Sequence, residues 1–210
     1  DTTLHALIKD TIKNHKRIIF NGNGYDDSWV KEAESRGLLN LKTTPDALPY
    51  FKTDENVELF ERQKVLSKEE VQSRYEILMD EYEKQINIEA LTMLDIAKKD
   101  ILPAASKFSK ELTDTIVNKK AIGIDLTYEL ETAKKVSEYL TEAYQALITL
   151  EKDVKKLHSI DDFEKSAFYV RDFIIQDMAA LRKPCDELEV VTSNEAWPFP
   201  TYGKLLFGIL

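Results

Sequence analysis

The chain has 210 residues, of which 38 are acidic and 29 are basic, so that its formal net charge at pH 7 is -9. A chain of this length can bury a core without disulfides or a structural metal. Its negative charge repels phosphate backbones and anionic lipid surfaces, and its longest uncharged apolar run is too short to cross a bilayer. We therefore expect neither nucleic acid nor a membrane as a partner.

The cellular setting is predicted from the cysteine content and from the start of the chain. Cys185 has no second cysteine with which to form an internal disulfide, and no charged and then apolar leader opens the sequence. Both features favour a reduced, cytoplasmic setting. No Met precedes Asp1, which suggests a piece excised from a longer chain.

Residues 1–66 are predicted to form a junction segment of short helices and turns. The pattern Asn21-Gly22-Asn23-Gly24 is typical of turns with positive φ, and residues 18–20 before it form a brief run with strand character. Gly37 suits the left-handed position that closes a helix. The first helix has an apolar face of Leu4, Leu7, Ile8 and Ile12, and start signals occur at Thr2 or Thr3, Asp27 or Ser28, Thr44 before Pro45, and Thr53.

The stretch from Ser67 to about Asn118 is predicted to be one long helix with a buried side. Ser67 and Glu70 have the spacing of a capping box, and Pro103 predicts a kink or split near Asp100 because it lacks an N–H and crowds the preceding turn. The apolar stripe recurs at steps of three or four: Val71, Tyr75, Leu78, Tyr82, Ile86, Ala90, Leu94, Ala97, Ile101, Ala105, Phe108, Leu112 and Ile116.

Two further long helices are predicted after Gly123. The second begins at Asp125 or Thr127 and continues to about Leu157 with a stripe close to a heptad seam, and the third begins after a Ser159 cap and bends at Pro184. The predicted fold is therefore all-α, with three long antiparallel helices, the first kinked near Pro103, following the short helices and loops of the N-terminal region. Residues 67–210 would be a long-helix bundle with an apolar C-terminal tail, and the whole chain one compact domain.

The tail is the most apolar stretch of the chain and cannot be helical through both of its prolines. Its large side chains exceed what a free terminus normally leaves in water. The tail is expected either to close its own bundle, to lie against the short-helix region around Trp29 and Phe51, or to contact another domain or subunit. The candidate contact residues are Trp197, Phe199, Tyr202 and Phe207.

No residue is assigned a catalytic, cofactor-binding or metal-binding role. Gly22-Asn23-Gly24 lacks the third glycine of a dinucleotide fingerprint, because Asp27 stands there, and a P-loop lysine is absent. A structural turn is the favoured interpretation, and an enzyme acting through residues 21–25 is the least favoured functional hypothesis. His5, His15 and His158 are isolated in sequence, and Cys185 lies on an apolar stripe, which favours a packed core thiol.

The segment from His15 to Tyr25 resembles the start of the C-terminal region of type III glutamine synthetases, the long bacterial form of that enzyme. Further motifs similar to the family follow in the same order over nearly all of the chain. They are Glu-Ala-Glu at 32–34, Arg-Gly-Leu-Leu-Asn-Leu-Lys-Thr-Thr at 36–44, Ala-Leu-Pro at 47–49, Arg-Tyr-Glu-Ile-Leu at 74–78, Asn-Ile-Glu-Ala-Leu-Thr-Met-Leu at 87–94, Lys-Asp-Ile-Leu-Pro-Ala at 99–104 and Trp-Pro-Phe-Pro-Thr-Tyr-Gly at 197–203.

This resemblance implies a parent enzyme that joins ammonia to glutamate through γ-glutamyl phosphate, with ATP and Mg²⁺ bound in a catalytic domain upstream. The present chain would then be a non-catalytic helical domain with an assembly or regulatory role, inactive alone, whose partners are the catalytic domain and the other subunits of a homo-oligomer. The alternative is a free-standing helical scaffold that binds a partner protein by docking a helix in a groove.

Overall fold

The structure is a computed structural model that describes residues 2–208, apart from the side chain of Tyr202. The regular secondary structure of the described residues is entirely helical, without a β-strand, which confirms the predicted all-α fold and shows that residues 18–20 are not a strand. The helices are α1 (Thr2–Asn14), α2 (Asp27–Ser35), α3 (Thr44–Phe51), α4 (Asp54–Arg62), α5 (Lys68–Ile96), α6 (Leu102–Ala121), α7 (Thr127–Leu157), α8 (Phe163–Tyr169), α9 (Ile175–Val191) and α10 (Tyr202–Phe207).

The first long helix is continuous from α5 into α6 through a π-helical turn at Ala97–Ile101. Its start is the predicted capping box: Glu70 N–H donates to Ser67 Oγ at 3.2 Å, and Ser67 N–H donates to Glu70 Oε2 at 2.7 Å. Pro103 is the second residue of α6, and because it has no N–H to offer the preceding turn, the wider turn falls directly before it. The irregularity predicted near Asp100 is therefore present, and the chain stays helical on both sides of it.

The third long helix joins α8 to α9 through a second π-helical turn at Val170–Ile174. Its cap is Asp162, whose Oδ1 accepts from Lys165 N–H at 2.8 Å, so the predicted Ser159 cap is wrong. Ser159 instead donates its hydroxyl to Lys156 O at 2.7 Å and thereby helps to end α7. The helix also runs through Pro184 without an irregular turn. Its irregularity lies earlier than predicted.

Two N-terminal caps lie one residue earlier than the sequence indicated. Asp26 accepts from Ser28 N–H at 2.8 Å and begins α2, and Thr43 accepts from Asp46 N–H at 3.4 Å and begins α3. Gly37 has φ of 79°, the left-handed conformation predicted for it after α2, and Gly123 after α6 has φ of 72°.

The core forms where α7 meets the first and third long helices. Polar contacts pair Lys98 with Glu151 at 3.1 Å and Asn87 with His158 at 3.1 Å, so residue numbers fall along the first helix as they rise along α7. Leu78, predicted on the buried stripe, is 40% exposed, and Met79 beside it is fully buried against α8. The buried core includes Leu94, Val136, Leu147, Leu150, Ile174, Leu181 and Leu188.

The chain forms two compact units, divided between Lys42 and Thr43. In the first unit, the Phe20 and Trp29 rings lie 4.1 Å apart and Arg36 donates to Arg17 O at 2.7 Å. The second unit includes α3 and α4 because both helices pack on α5. The boundary between residues 66 and 67, expected from the start of the long helix at Ser67, stays a prediction. No helix of the described residues is long and apolar enough to span a membrane.

Replacing Leu147 with Ala should lower the free energy of unfolding by roughly 2 to 5 kcal/mol, because the side chain is 3% exposed and its removal leaves a cavity. Leu94→Ala should behave similarly. Val117→Ala in α6 is the matched control, since Val117 is exposed and its change should stay within about 0.5 kcal/mol. Urea denaturation measures both. A Leu147 variant as stable as the control would mean that α7 does not bury this face.

Candidate functional site

The three histidines and the glycine-rich turn occupy separate surroundings. His158 lies beside Asn87, whereas His5 and His15 are exposed in the first unit. Among residues 2–208, no three His, Cys, Asp or Glu side chains are grouped so that they could hold a metal ion.

The turn at residues 21–25 shapes the aromatic contact of the first unit. Asn23 Oδ1 accepts from Tyr25 N–H at 3.1 Å. A Cβ at Gly22 would overlap the Phe20 ring, so the glycine leaves room for the ring that packs on Trp29. These contacts fit the structural interpretation of the turn.

Cys185 lies on the buried side of α9. Burial, and to a lesser degree the charge of Asp186, raises the pKa of its thiol to about 11. Because the thiolate is the nucleophilic form, this side chain is poorly suited to nucleophilic catalysis at neutral pH and fits the predicted packed thiol.

A polar cluster joins α3, α5 and α8. The Tyr75 hydroxyl donates to Glu164 Oε1 at 2.7 Å, and Lys52 Nζ lies 3.0 Å from the same oxygen and 3.7 Å from the Tyr75 ring centre. The hydrogen bond from Tyr75, and then that from Lys52, holds the pKa of Glu164 below its usual value, whereas burial raises the pKa of Tyr75. The cluster therefore links the end of α3 to α5 and α8.

A second polar cluster centres on Arg171 in the π-helical turn after α8. Its guanidinium pairs with Asp46 of α3 and lies 2.6 Å from Asp172, and it sits 4.7 Å from the Phe168 ring centre. The ion pair with Asp172 accounts for the lowered pKa of that carboxyl group. Together with the first cluster, Arg171 fixes the start of α3 on the third long helix.

Two carboxyl groups face each other between α7 and α9. Tyr169 donates its hydroxyl to Asp153 Oδ1 at 2.9 Å, while Asp177 Oδ2 is buried and has no donor among the described residues. Burial first, and then the neighbouring Asp153 carboxyl group, raises the pKa of Asp177 to about 6. A proton shared between the two carboxyl groups would satisfy the buried oxygen.

An apolar groove of about 510 Å³ lies between the end of α5 and the middle of α9. Ile88, Met93 and Ile96 form one side, and Met178, Leu181 and Cys185 form the other. Its charged groups are Glu89, Arg182 and Asp186, of which the last two pair with each other at 3.1 Å. The groove is thus lined mainly by apolar side chains, with three charged residues among them.

The tail divides into an anchored part and an exposed part. Trp197 packs against the buried core, and its ring lies 6.2 Å from that of Phe199, which is 38% exposed. Phe207, at the end of α10, is 84% exposed. The side chain of Tyr202, the fourth predicted contact residue, lies outside the described part of the chain. Within this unit the tail therefore both closes its own bundle, at Trp197, and presents free apolar side chains.

The first unit presents a second apolar face. None of the residues described in α1 is buried, and the predicted stripe of Leu4, Leu7, Ile8 and Ile12 is half-exposed or more throughout. Lys9, Lys13 and Lys16 lie beside this stripe. An amphipathic helix of this length gains most of its stability from a covered apolar face.

Replacing Asp177 with Asn should raise the free energy of unfolding at pH 7 to 8 by on the order of 1 kcal/mol, because Asn removes the cost of a partly buried ionised carboxylate. Because the pKa of Asp177 is higher in the folded chain than its ordinary value of 3.8, the carboxyl group contributes most to stability below about pH 4, and this contribution is lost as pH rises through 6. The gain from Asp177→Asn should therefore shrink to nothing near pH 4. Asp161→Asn, an exposed carboxylate in the preceding loop, is the charge-matched control. Thermal melts across pH 4 to 8 measure both, and parallel profiles for the two variants would contradict the assignment.

Comparison with known proteins identifies the family to which the chain belongs. Residues 3–120 match the family described as glutamine synthetase C-terminal domain. The chain is 40% identical over 205 residues to a glutamine synthetase from Butyrivibrio fibrisolvens, covering 97% of this chain and 29% of the relative.

Two further relatives give the same picture. A type-3 glutamine synthetase from Dictyostelium discoideum is 33% identical over 215 residues, and a glutamine synthetase from Bacteroides fragilis is 25% identical over 213 residues. The matches cover 98% and 99% of this chain, and the chain spans about 29% of the length of each relative. The predicted resemblance to the C-terminal region of type III glutamine synthetases is confirmed, and the chain belongs to the glutamine synthetase C-terminal domain family.

Proposed function

We propose that this chain is a non-catalytic assembly domain of a glutamine synthetase, an enzyme that joins ammonia to glutamate at the expense of ATP. The observation that carries the proposal is the exposed end of the tail: Leu205, Leu206 and Phe207 are 65%, 71% and 84% exposed. Three consecutive large apolar residues left in water favour a further contact, and the match to about 29% of much longer glutamine synthetases supports the rest of such an enzyme as the partner.

The size of the tail indicates what kind of contact it makes. Fully burying one Leu or Phe side chain is worth roughly 1.5 to 3 kcal/mol, whereas association of two proteins costs an estimated 4 to 15 kcal/mol or more in lost freedom. Together the three tail residues can supply roughly 4.5 to 9 kcal/mol, which is comparable with that cost, so they can strengthen an interface but leave little net affinity when a single tail acts alone. The exposed apolar face of α1 is a second surface that the same enzyme would cover.

The proposal assigns ATP and Mg²⁺ to the remainder of the enzyme. Mg²⁺ in proteins takes oxygen ligands in near-octahedral geometry, and the described residues bring no such group of carboxylates together. The residues present here do not fit that cofactor, so no catalytic step is assigned to them. The setting that we propose for the whole enzyme is the cytoplasm, in a homo-oligomer.

The free-standing scaffold is the second candidate. The alignment favours the assembly domain, because 97% of the chain matches one continuous part of a longer enzyme. Reading the gene separates the two: an upstream catalytic domain in the same frame supports the assembly domain, and a stop codon followed by a start signal supports the scaffold.

The purified 210-residue chain is expected to form no glutamine from glutamate, ammonia and ATP, since no catalytic group is assigned to it. The parent enzyme, assayed in parallel at the same molar concentration, is the positive control. Glutamine formed above the level without enzyme by the isolated chain would contradict the proposal.

In the parent enzyme, replacing Leu205, Leu206 and Phe207 together with Ser should weaken assembly without unfolding the bundle, because Trp197 remains on the core. Sedimentation velocity measures the oligomer, and circular dichroism checks the helices. The matched control replaces Val117, Ile122 and Ile124 with Ser, three residues that are likewise exposed. An oligomer unchanged by the tail substitutions, or equally weakened by the control, would contradict an assembly role for the tail.

A further inference from the structure

The tail and the groove between α5 and α9 belong to the same unit, yet neither covers the other. Ile88 on the groove wall is 63% exposed, and the three tail residues are more exposed still. The chain therefore carries an apolar segment and an apolar groove that its own fold leaves apart. Both remain available to a second copy.

The shape of α10 favours a groove over a flat surface. Successive helical residues point about 100° apart, so Leu205, Leu206 and Phe207 together spread over more than half of the helix circumference. A flat surface could cover only one side of this short helix. A groove with one wall from α5 and one from α9 can contact all three side chains.

Charge at the groove is compatible with this helix. Arg182 is paired with Asp186, which leaves Glu89 as the charged lining residue without an ion pair in the described part of the chain. α10 carries Lys204 directly before its three apolar residues. Within a chain of net charge -9, a basic group that meets Glu89 would offset part of the repulsion between two copies.

The segment between the bundle and α10 is suited to exchange between copies. Trp197 anchors the tail on the core, and Pro198 and Pro200 restrict the backbone that follows to extended conformations. A stiff arm loses little conformational freedom when its end is bound. Reciprocal exchange would also bury two tails in a single symmetric association.

We propose that α10 of one copy inserts Leu205, Leu206 and Phe207 into the groove between α5 and α9 of a second copy, with Lys204 beside Glu89. This deepens the proposed function and rests on its assignment of the tail as a contact surface. It names the neighbouring copy as the partner, and the face around Ile88 and Met178 as the receiving site.

Disulfide trapping with the 210-residue chain tests this contact. In a Cys185→Ser background, one variant carries Ile88→Cys and another carries Phe207→Cys, and the two are mixed and mildly oxidised. A disulfide between the two different variants is expected, and the control pair of Val117→Cys with Phe207→Cys should give only background cross-linking. Melting of each variant before oxidation shows that it is folded.

Placing Ile88→Cys and Phe207→Cys in the same chain identifies the source of the tail. Cross-linked dimers are expected, whereas an oxidised product that remains a monomer would show that the tail reaches its own groove and would overturn the proposal. Absence of the mixed disulfide in folded variants would overturn it as well.

The assembly assay of the parent enzyme and the disulfide test of the groove contact can give different results. If the tail substitutions weaken its assembly but no mixed disulfide forms, the assembly role stands and the groove is the wrong receiver. If the mixed disulfide forms while the parent assembles normally without the tail, the contact exists and the assembly role falls.

Discussion

The burial of one face of α7 is the constraint on which the bundle depends. α7 packs against the first long helix and against α9, so its apolar stripe must fit the side chains of both helices. Val136, Ala143, Leu147 and Leu150 are all essentially removed from water. Because apolar burial is the main favourable term in folding, this shared stripe determines where the other two long helices lie, and with them the groove between α5 and α9.

The long helices were predictable from the sequence because their signals are local. The stripe of α5 and α6 repeats over some fifty residues, and the Ser67 and Glu70 box needs only residues three apart. Ser159 was misassigned as a cap because it has the right residue type near the right place. Which of several Ser and Asp side chains faces a free N–H depends on the end of α7, and that end is set by packing on other helices.

The predicted stripe of α5 does not identify correctly which of two adjacent apolar residues is buried. Leu78 and Met79 are both apolar, and a rotation of about 100° decides which one is buried. In the structure, α8 lies on the side of Met79. The sequence of α5 contains no information about where α8 comes to rest, so this choice could not be made from periodicity.

The polar clusters could not be found from the sequence, because their members are far apart along the chain. Glu164 meets Tyr75 across 89 positions and Lys52 across 112. The aromatic and proline pattern of the tail indicates side chains that need a cover, and this stays a prediction. That Trp197 would stay on its own bundle while Phe207 would not depends on how far the core extends beyond α9.

The two π-helical turns have a further consequence for how the helices tolerate changes in length. Each such turn holds one residue more than an α-helical turn. Every later residue therefore lies about 100° around the helix axis from where an uninterrupted α-helix would place it. At these two joints, residues 97–101 and 170–174, deletion of one residue would convert the π-helical turn into a regular α-helical turn. The same loss elsewhere in α5 or α9 would turn the whole downstream face away from the core. Differences in length among such long helices should therefore be accommodated at these two joints, with the faces on either side kept in register with α7.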